Sequence, residues 1–189
     1  HSALLFIEIQ GLKELQQSLS ASELSDTLNG YHRLLSHAAK LYNGTVDRYM
    51  GDGILIIFGY PDKDPRDASH CLYAAQLFLG LVQELQHNDR QLQQLNFKLS
   101  AHWGPVLIAP LEMNQQLQFS LIGDTVHWTA QLAMQSKEMQ LLVSQDLIDQ
   151  LSDADQILWQ PGPSLMDLNA CEHETRWLDA LPDTAEKLI

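Results

Sequence analysis

Thr45 to Gly59 reads TVDRYMGDGILIIFG, two apolar runs that close on the tip Gly51-Asp52-Gly53. This is strand, turn, strand, because glycines beside a short acid supply the backbone freedom that a tight hairpin needs. The same tip sets Asp52 between two runs that have every reason to be buried, which makes it a candidate for holding something.

The segments around the hairpin follow the two familiar periods. Ala3 to Ile9, ALLFIEI, is a buried strand ending at the Gln10-Gly11 break, so Glu8 lies near its end. Ser22 to Leu41 spaces Leu24, Leu28, Tyr31, Leu34, Leu35 and Ala38 as one helix face, with Ser22 as candidate N-cap and Asn43-Gly44 as the stop. After a polar loop, Pro61 to Pro65, a second long helix runs from Asp67 to Gln86, followed by the polar linker His87 to Gln94. Asn96 to Ile108 gives a pair of strands around Trp103-Gly104-Pro105, and Leu117 to Ile122 one more. A helix then runs from Asp124, its expected cap, through Gln135. Leu141 to Ser144 is a short strand and Gln145 to Leu151 a short helix. From Ser152 the tail is irregular, with Arg176 to Leu178 as a candidate edge strand. Strands and helices alternate with hairpins among them, so the expected architecture is a mixed sheet covered by helices, the core spanning about 3–151 of a single domain.

Charge narrows the function. Acids outnumber Lys plus Arg by 24 to 11, a net charge of -13, which is the wrong sign for gripping a nucleic-acid backbone. A polyphosphate can still be held locally, through metal ions and backbone N–H groups. Cys71 and Cys171 form no disulfide pattern and point to a reducing compartment. Cys71 to Val82 falls far short of the roughly 18 apolar residues of a membrane span. His32 and His37 are five apart, off a common helix face, and no zinc pattern appears. The chain opens at His1 without Met, so it is expected to be an excerpt of a longer, cytoplasmically exposed protein whose remainder is free to be membrane-bound.

The chemistry concentrates on two acids. Glu8 ends one strand and Asp52 tips a hairpin able to lie beside it, and paired carboxylates suit Mg2+ or Mn2+ when phosphate oxygens complete the shell. The loop IQGL, with Gly11, offers backbone N–H groups to a phosphate. Acids in turns are common, so spacing alone does not separate a metal pair from ordinary turn chemistry. Trp103 and Trp128 read as packing residues rather than stacking platforms, and His102 fits either a structural or a functional histidine.

LLFIEIQGL, LNGYHRLLSHAAKLYNGTVDRYMGDGILIIFGYP and SLIGDTVHWTAQL, in this order, resemble the opening strand and metal loop, the helix–hairpin–FGxP stretch and the late strand and helix of the class III nucleotidyl cyclases. The resemblance implies a ferredoxin-like βαββαβ palm and a head-to-tail dimer with ATP or GTP sites between subunits. One subunit would supply two metal-binding aspartates, the other the purine-recognising and transition-state groups. Carried across by position, Asp52 is the second metal aspartate, and Glu8 replaces the first with a carboxylate one methylene longer. Arg48 stands at a purine-binding Lys, Ser120 at a purine-binding Asp or Thr, and Lys98 at a phosphate-binding Arg, keeping charge without the bidentate fork. The diguanylate cyclase hairpin is superficially similar, but Gly53 in place of its Glu, with FGYP and IGDTV, argues against it.

The departures fall on His127 and Gln131, four apart on one helix face. By the resemblance they replace the Asn that orients the ribose and the Arg that stabilises charge on the transferred phosphate. Losing one such donor typically slows the reaction about 10²- to 10³-fold. The expectation is a degenerate cyclase-like module that dimerises or senses nucleotide, with little activity as a homodimer. Two alternatives stay open: the metal-bearing half of an active heterodimer, and a divergent but self-sufficient cyclase.

Overall fold

The computed structural model describes residues 1–50, 52–88, 92–113, 116–151, 159–167 and 172–178. Cys171 lies outside these residues. The strands in order are β1 (Ser2–Gln10), β2 (Gly44–Met50), β3 (Gly53–Phe58), β4 (Asn96–Gly104), β5 (Leu107–Met113), β6 (Gln116–Ile122), β7 (Gln140–Ser144), β8 (Gln160–Pro161), β9 (Leu165–Met166), β10 (Glu172–His173) and β11 (Thr175–Leu178). The helices are α1 (Leu12–Ser18), α2 (Ala21–Leu41), α3 (Asp67–Asn88), α4 (Asp124–Gln135) and α5 (Gln145–Ile148).

Seven strands form one sheet in the order β2-β3-β1-β4-β7-β11-β8. Its first four, with α2 and α3 as crossovers, make the ferredoxin-like palm that the sequence implied. All pairings within it are antiparallel except β4 with β7, whose parallel register follows from the crossover through α4. β5 and β6 form a separate two-stranded ribbon, as do β9 and β10.

The unbroken apolar runs of β1 and β3 are explained by cover on both faces. Ala3, Leu5, Ile7 and Ile9 pack with Ile54, Ile56 and Phe58 against Tyr31, Leu35 and Ala38 of α2 and Ala75, Phe78 and Leu79 of α3. Leu4, Phe6, Leu55 and Ile57 point the other way, onto Leu121 of β6 and Val126 and Ala133 of α4. Each large side chain buried this way, such as Phe58 or Phe78, contributes roughly 1.5–3 kcal/mol of transfer free energy.

Several local expectations shift. α2 starts earlier, capped by Ser20 rather than Ser22: the Ser20 hydroxyl accepts from Glu23 N–H at 3.4 Å while Glu23 Oε2 accepts from Ser20 N–H at 2.9 Å, a capping box. α1 was invisible to periodicity because it buries only Leu15. The strands around Trp103-Gly104-Pro105 exist but do not pair with each other: β4 joins the main sheet and β5 pairs with β6. Gly123, not Asp124, is the N-cap of α4, and no side chain caps it. α5 stops at Ile148. β11 is not an edge strand, since it lies between β7 and β8, so the sheet takes in part of the tail.

Candidate functional site

β1 carries Glu8 into register with Gly53 of β3 on one side and Lys98 of β4 on the other. The backbone carbonyl of Asp52 accepts from Ile9 N–H at 2.9 Å, which locks the hairpin tip against the end of β1. The backbones of the two acids therefore lie side by side at one sheet end, with Glu8 half-buried, Asp52 exposed and Lys98 directly across the strand from Glu8. Glu8 and Lys98 share the sheet face that α4 covers, since Leu4, Phe6 and Glu8 alternate with the residues facing α2 and α3. Two hard carboxylates at an open sheet end fit Mg2+ or Mn2+ only if other oxygens complete the shell. Among the described residues no group of three or more His, Cys, Asp or Glu is arranged to hold a metal alone.

Gly11 takes a left-handed conformation, φ 85°, at the start of α1. A Cβ here would collide with the backbone carbonyl of Gln94, so this position admits only glycine.

Arg48 and Ser120 are also brought together. The Arg48 guanidinium donates from Nη2 to the carbonyl of Leu121, the neighbour of Ser120, and from Nε to Asp47 at 2.6 Å. Asp47, overlooked in the sequence, becomes the partner because the β2–β3 register shifts between Val46 and Arg48. A bulge lets adjacent side chains serve one side.

His127 is exposed on α4, and Gln131 is half-buried. Gln131 lines a cleft of about 650 Å³ with Asp124, Trp128, Asp146, Asp149 and Asp167 among its walls. His1, Trp103 and Gly104 also line this cleft, and Ser2 pairs with Gly104 at the opposite end of β1 from Glu8. Six residue steps of strand separate those ends, roughly 20 Å. The structure thus gathers the acid pair with Lys98 and, separately, Arg48 with Ser120, but does not converge the acids on the Gln131 cleft within one chain.

The cleft's far wall holds a cluster with no sequence signal, its members lying scattered from residue 102 to residue 173. His102 is buried and its Nδ1 meets the Ser144 hydroxyl at 2.7 Å. Burial, partly offset by the Asp146 carboxylate, lowers its pKa to about 4, so it is a neutral imidazole. His173 lies between Asp146 and Asp167. Trp128 is buried with Leu132, Leu142 and Trp177, and its indole N–H has no hydrogen-bond partner among the described residues. Trp103 packs half-buried against the main core.

Comparison with known proteins places these features. A family model described as the adenylate and guanylate cyclase catalytic domain matches residues 1–174. An uncharacterized protein of Mycobacterium tuberculosis is 24% identical over 178 residues, covering 93% of this chain and 32% of that protein. Adenylate cyclase 1 of Rhizobium meliloti is 23% identical over 137 residues, 71% of this chain and 20% of that enzyme. The chain thus spans about a third or less of the curated relatives it matches. Among solved structures, the guanylate cyclase domain from Catenaria anguillulae in complex with GTP has TM-score 0.81 at 19% identity, covering 95% of this chain and 96% of that one. An adenylyl cyclase from P. aeruginosa has TM-score 0.79 at 21% identity, with coverage of 96% and 95%. At these identities the structural likeness speaks for the fold.

Proposed function

The chain belongs to the adenylate and guanylate cyclase catalytic domain family, and on that premise we propose that it is a degenerate member, a dimerising or nucleotide-sensing signalling module with little cyclase activity as a homodimer. The observation that carries this reading is α4. By the resemblance, its positions for ribose orientation and charge stabilisation hold His127 and Gln131, and among the described residues the cleft beside Gln131 has no Lys or Arg in its walls, which include Asp124, Asp146, Asp149 and Asp167. A transferring triphosphate needs fixed positive charge where its own negative charge builds. Glutamine can hydrogen-bond but supplies none.

ATP or GTP would bind through Glu8 and Asp52 with Mg2+ or Mn2+, supported by Lys98 and the Gly11 loop, while Arg48 and Ser120 would meet the purine. The metal would neutralise and orient the phosphates. Glu8 would hold it from the strand end with a reach longer than Asp, and Asp52 from the exposed tip. Leu107, Phe119 and Ile122 on β5 and β6 and Tyr49 on β2 are exposed apolar side chains that a second cyclase-like domain would cover. We place the domain in the cytoplasm, as part of a larger signalling protein. Among the described residues no helix is long and apolar enough to cross a membrane.

A second reading is favoured by one observation: Glu8, Asp52 and Lys98 remain together at one sheet end. A chain that keeps two carboxylates and a cation at that end can serve as the metal-bearing half of a heterodimer whose partner supplies Asn and Arg.

Formation of cAMP and cGMP by the purified domain with Mn2+ and each triphosphate is the test. We expect negligible turnover, and a gain of at least about 10²-fold when His127→Asn and Gln131→Arg are combined. Wild-type turnover at the level of an ordinary family member would overturn the degenerate reading. Activity appearing only on mixing with a domain bearing both residues would establish the heterodimer instead.

A further inference from the structure

His173 presents both ring nitrogens to carboxylates. Nδ1 lies 3.0 Å from Asp146 Oδ2 and Nε2 lies 3.1 Å from Asp167 Oδ2. Ionised carboxylates only accept, and a neutral imidazole has one N–H and one lone pair. One of the two contacts would therefore set a lone pair against an anion unless both nitrogens carry protons. The geometry is that of an imidazolium between two anions, a pair of charge-assisted bonds.

Those anions belong to different parts of the fold. Asp146 sits in the first turn of α5, and Asp167 directly follows β9. β9 and β10 pair through only two residues each, Glu172 with Met166 and His173 with Leu165. A two-stranded ribbon this short has no stability of its own. Its far end is anchored by the backbone, the Glu174 carbonyl accepting from Gln145 N–H at 2.8 Å and the Thr175 hydroxyl donating to the Pro163 carbonyl. The ribbon itself is held by Leu165 against the cluster of Trp128, Leu142 and Trp177, the Trp128 ring 4.9 Å from the His173 ring, the Ser164–Glu172 bond, and the two carboxylates.

We propose that His173 is a proton-operated clasp: as imidazolium it joins Asp146 to Asp167 and holds the β9–β10 ribbon as a wall of the cleft beside α4, and loss of its proton releases that wall. Acids dominate the cleft around it: Asp146 of α5, Asp149 just past that helix, Asp124 at the start of α4, and Asp167, with His1 at the start of the chain also in the wall. β4 contributes His102, edge-on with ring centroids 5.9 Å apart and held neutral by burial. On its own segment, Glu174 is paired with Arg176 and Glu172 accepts from the Ser164 hydroxyl. Burial alone would pull the imidazolium down, but the bonds to Asp167 and Asp146 outweigh it, so His173 titrates above its ordinary value. The clasp also adds a cation against the Trp128 face. It is independent of whether the domain makes a cyclic nucleotide.

The experiment is an NMR titration of the His173 ring, assigned through His173→Gln, alongside amide hydrogen exchange of residues 164–167 and 172–174 corrected for intrinsic rates. The expected His173 midpoint lies above 6.5, its unperturbed value. Ribbon protection should fall by up to about tenfold per pH unit between 6.5 and that midpoint. Amides pairing β7 with β4 should keep theirs, which separates release of the ribbon from global unfolding. Asp167→Asn, a milder change than His173→Gln, should lower the midpoint by about one pH unit and move the loss of protection with it. A midpoint at or below 6.5, or ribbon protection that ignores both substitutions, would overturn the clasp.

Discussion

Arg48 serves structure and any purine contact with one guanidinium. Its Nε is committed to Asp47, whose side chain is only 6% exposed, and its Nη2 to the carbonyl of Leu121. It thus ties β2 to β6 across the face where Ser120 sits. A lysine has no fork and would have to reach both acceptors from a single nitrogen. Arg48→Lys should therefore cost roughly 1 kcal/mol in urea unfolding. Arg48→Ala, which removes the cation beside a buried carboxylate, should cost roughly 2–3 kcal/mol. Adding Asp47→Asn to the alanine variant should recover part of that loss, because the orphaned charge goes with it. An alanine variant no less stable than an exposed-surface control would show that the tie carries no structural weight. Glu8 and Asp52 were legible as acids at a strand end and a tip, because their positions follow from local periodicity. Asp47 was not: its role depends on a bulge, a matter of one residue of register that no pattern of apolar residues records.

The hairpin is the element that brings the acids together, and Gly53 is its tight point. A Cβ at Gly53 would overlap the ring of Phe6, its neighbour on β1. Phe6 is buried in the second core cluster against Leu55, Ile57 and Leu121, so it cannot swing clear without leaving that packing. Gly53→Ala should destabilise by roughly 1–3 kcal/mol, as overpacking does. It should also weaken Mn2+-dependent nucleotide binding, if any is measured calorimetrically, by displacing the tip from β1. Binding and stability both unchanged would mean that tip and strand need not be in close contact. At α2, Ser20→Ala should remove about 1 kcal/mol through the lost capping box, read as a lower thermal midpoint. The long elements were readable because α2 and α3 each hold a sustained apolar stripe and β3 an unbroken apolar run. The short ones were not: α1 buries a single leucine, and β8 to β10 hold two residues each, too few for any period to register. The pairing of β11 between β7 and β8 is set by contacts distant in sequence, so the tail looked irregular.

At the scale of the whole molecule, two histidines a ring's width apart respond to pH in opposite senses, which follows from what surrounds each. His102 is depressed to about 4 by burial, so its contribution to stability is fully present above the unfolded value of 6.5. That contribution is lost as pH falls toward 4. Over that interval the loss is on the order of 3 kcal/mol. His173 is raised, so its contribution is present below 6.5, the unfolded value, and is lost as pH rises through the folded one. Both groups meet Asp146, yet only His173 reaches a second carboxylate through its other nitrogen. Stability measured by urea midpoints across pH should thus fall on both sides of a maximum near neutrality. His102→Gln should flatten the acid limb relative to wild type and leave the alkaline one, because glutamine can still meet the Ser144 hydroxyl without acquiring charge. An acid limb equally steep in the variant would assign it to carboxylates elsewhere. Because His102 lies in β4 and Ser144 at the end of β7, protonating this imidazole strains the one parallel seam of the sheet, the join between the ferredoxin-like palm and the strands that carry the tail. Acid should therefore loosen β7 and β11 before β1 and β3, an order that amide exchange at pH about 5 would reveal.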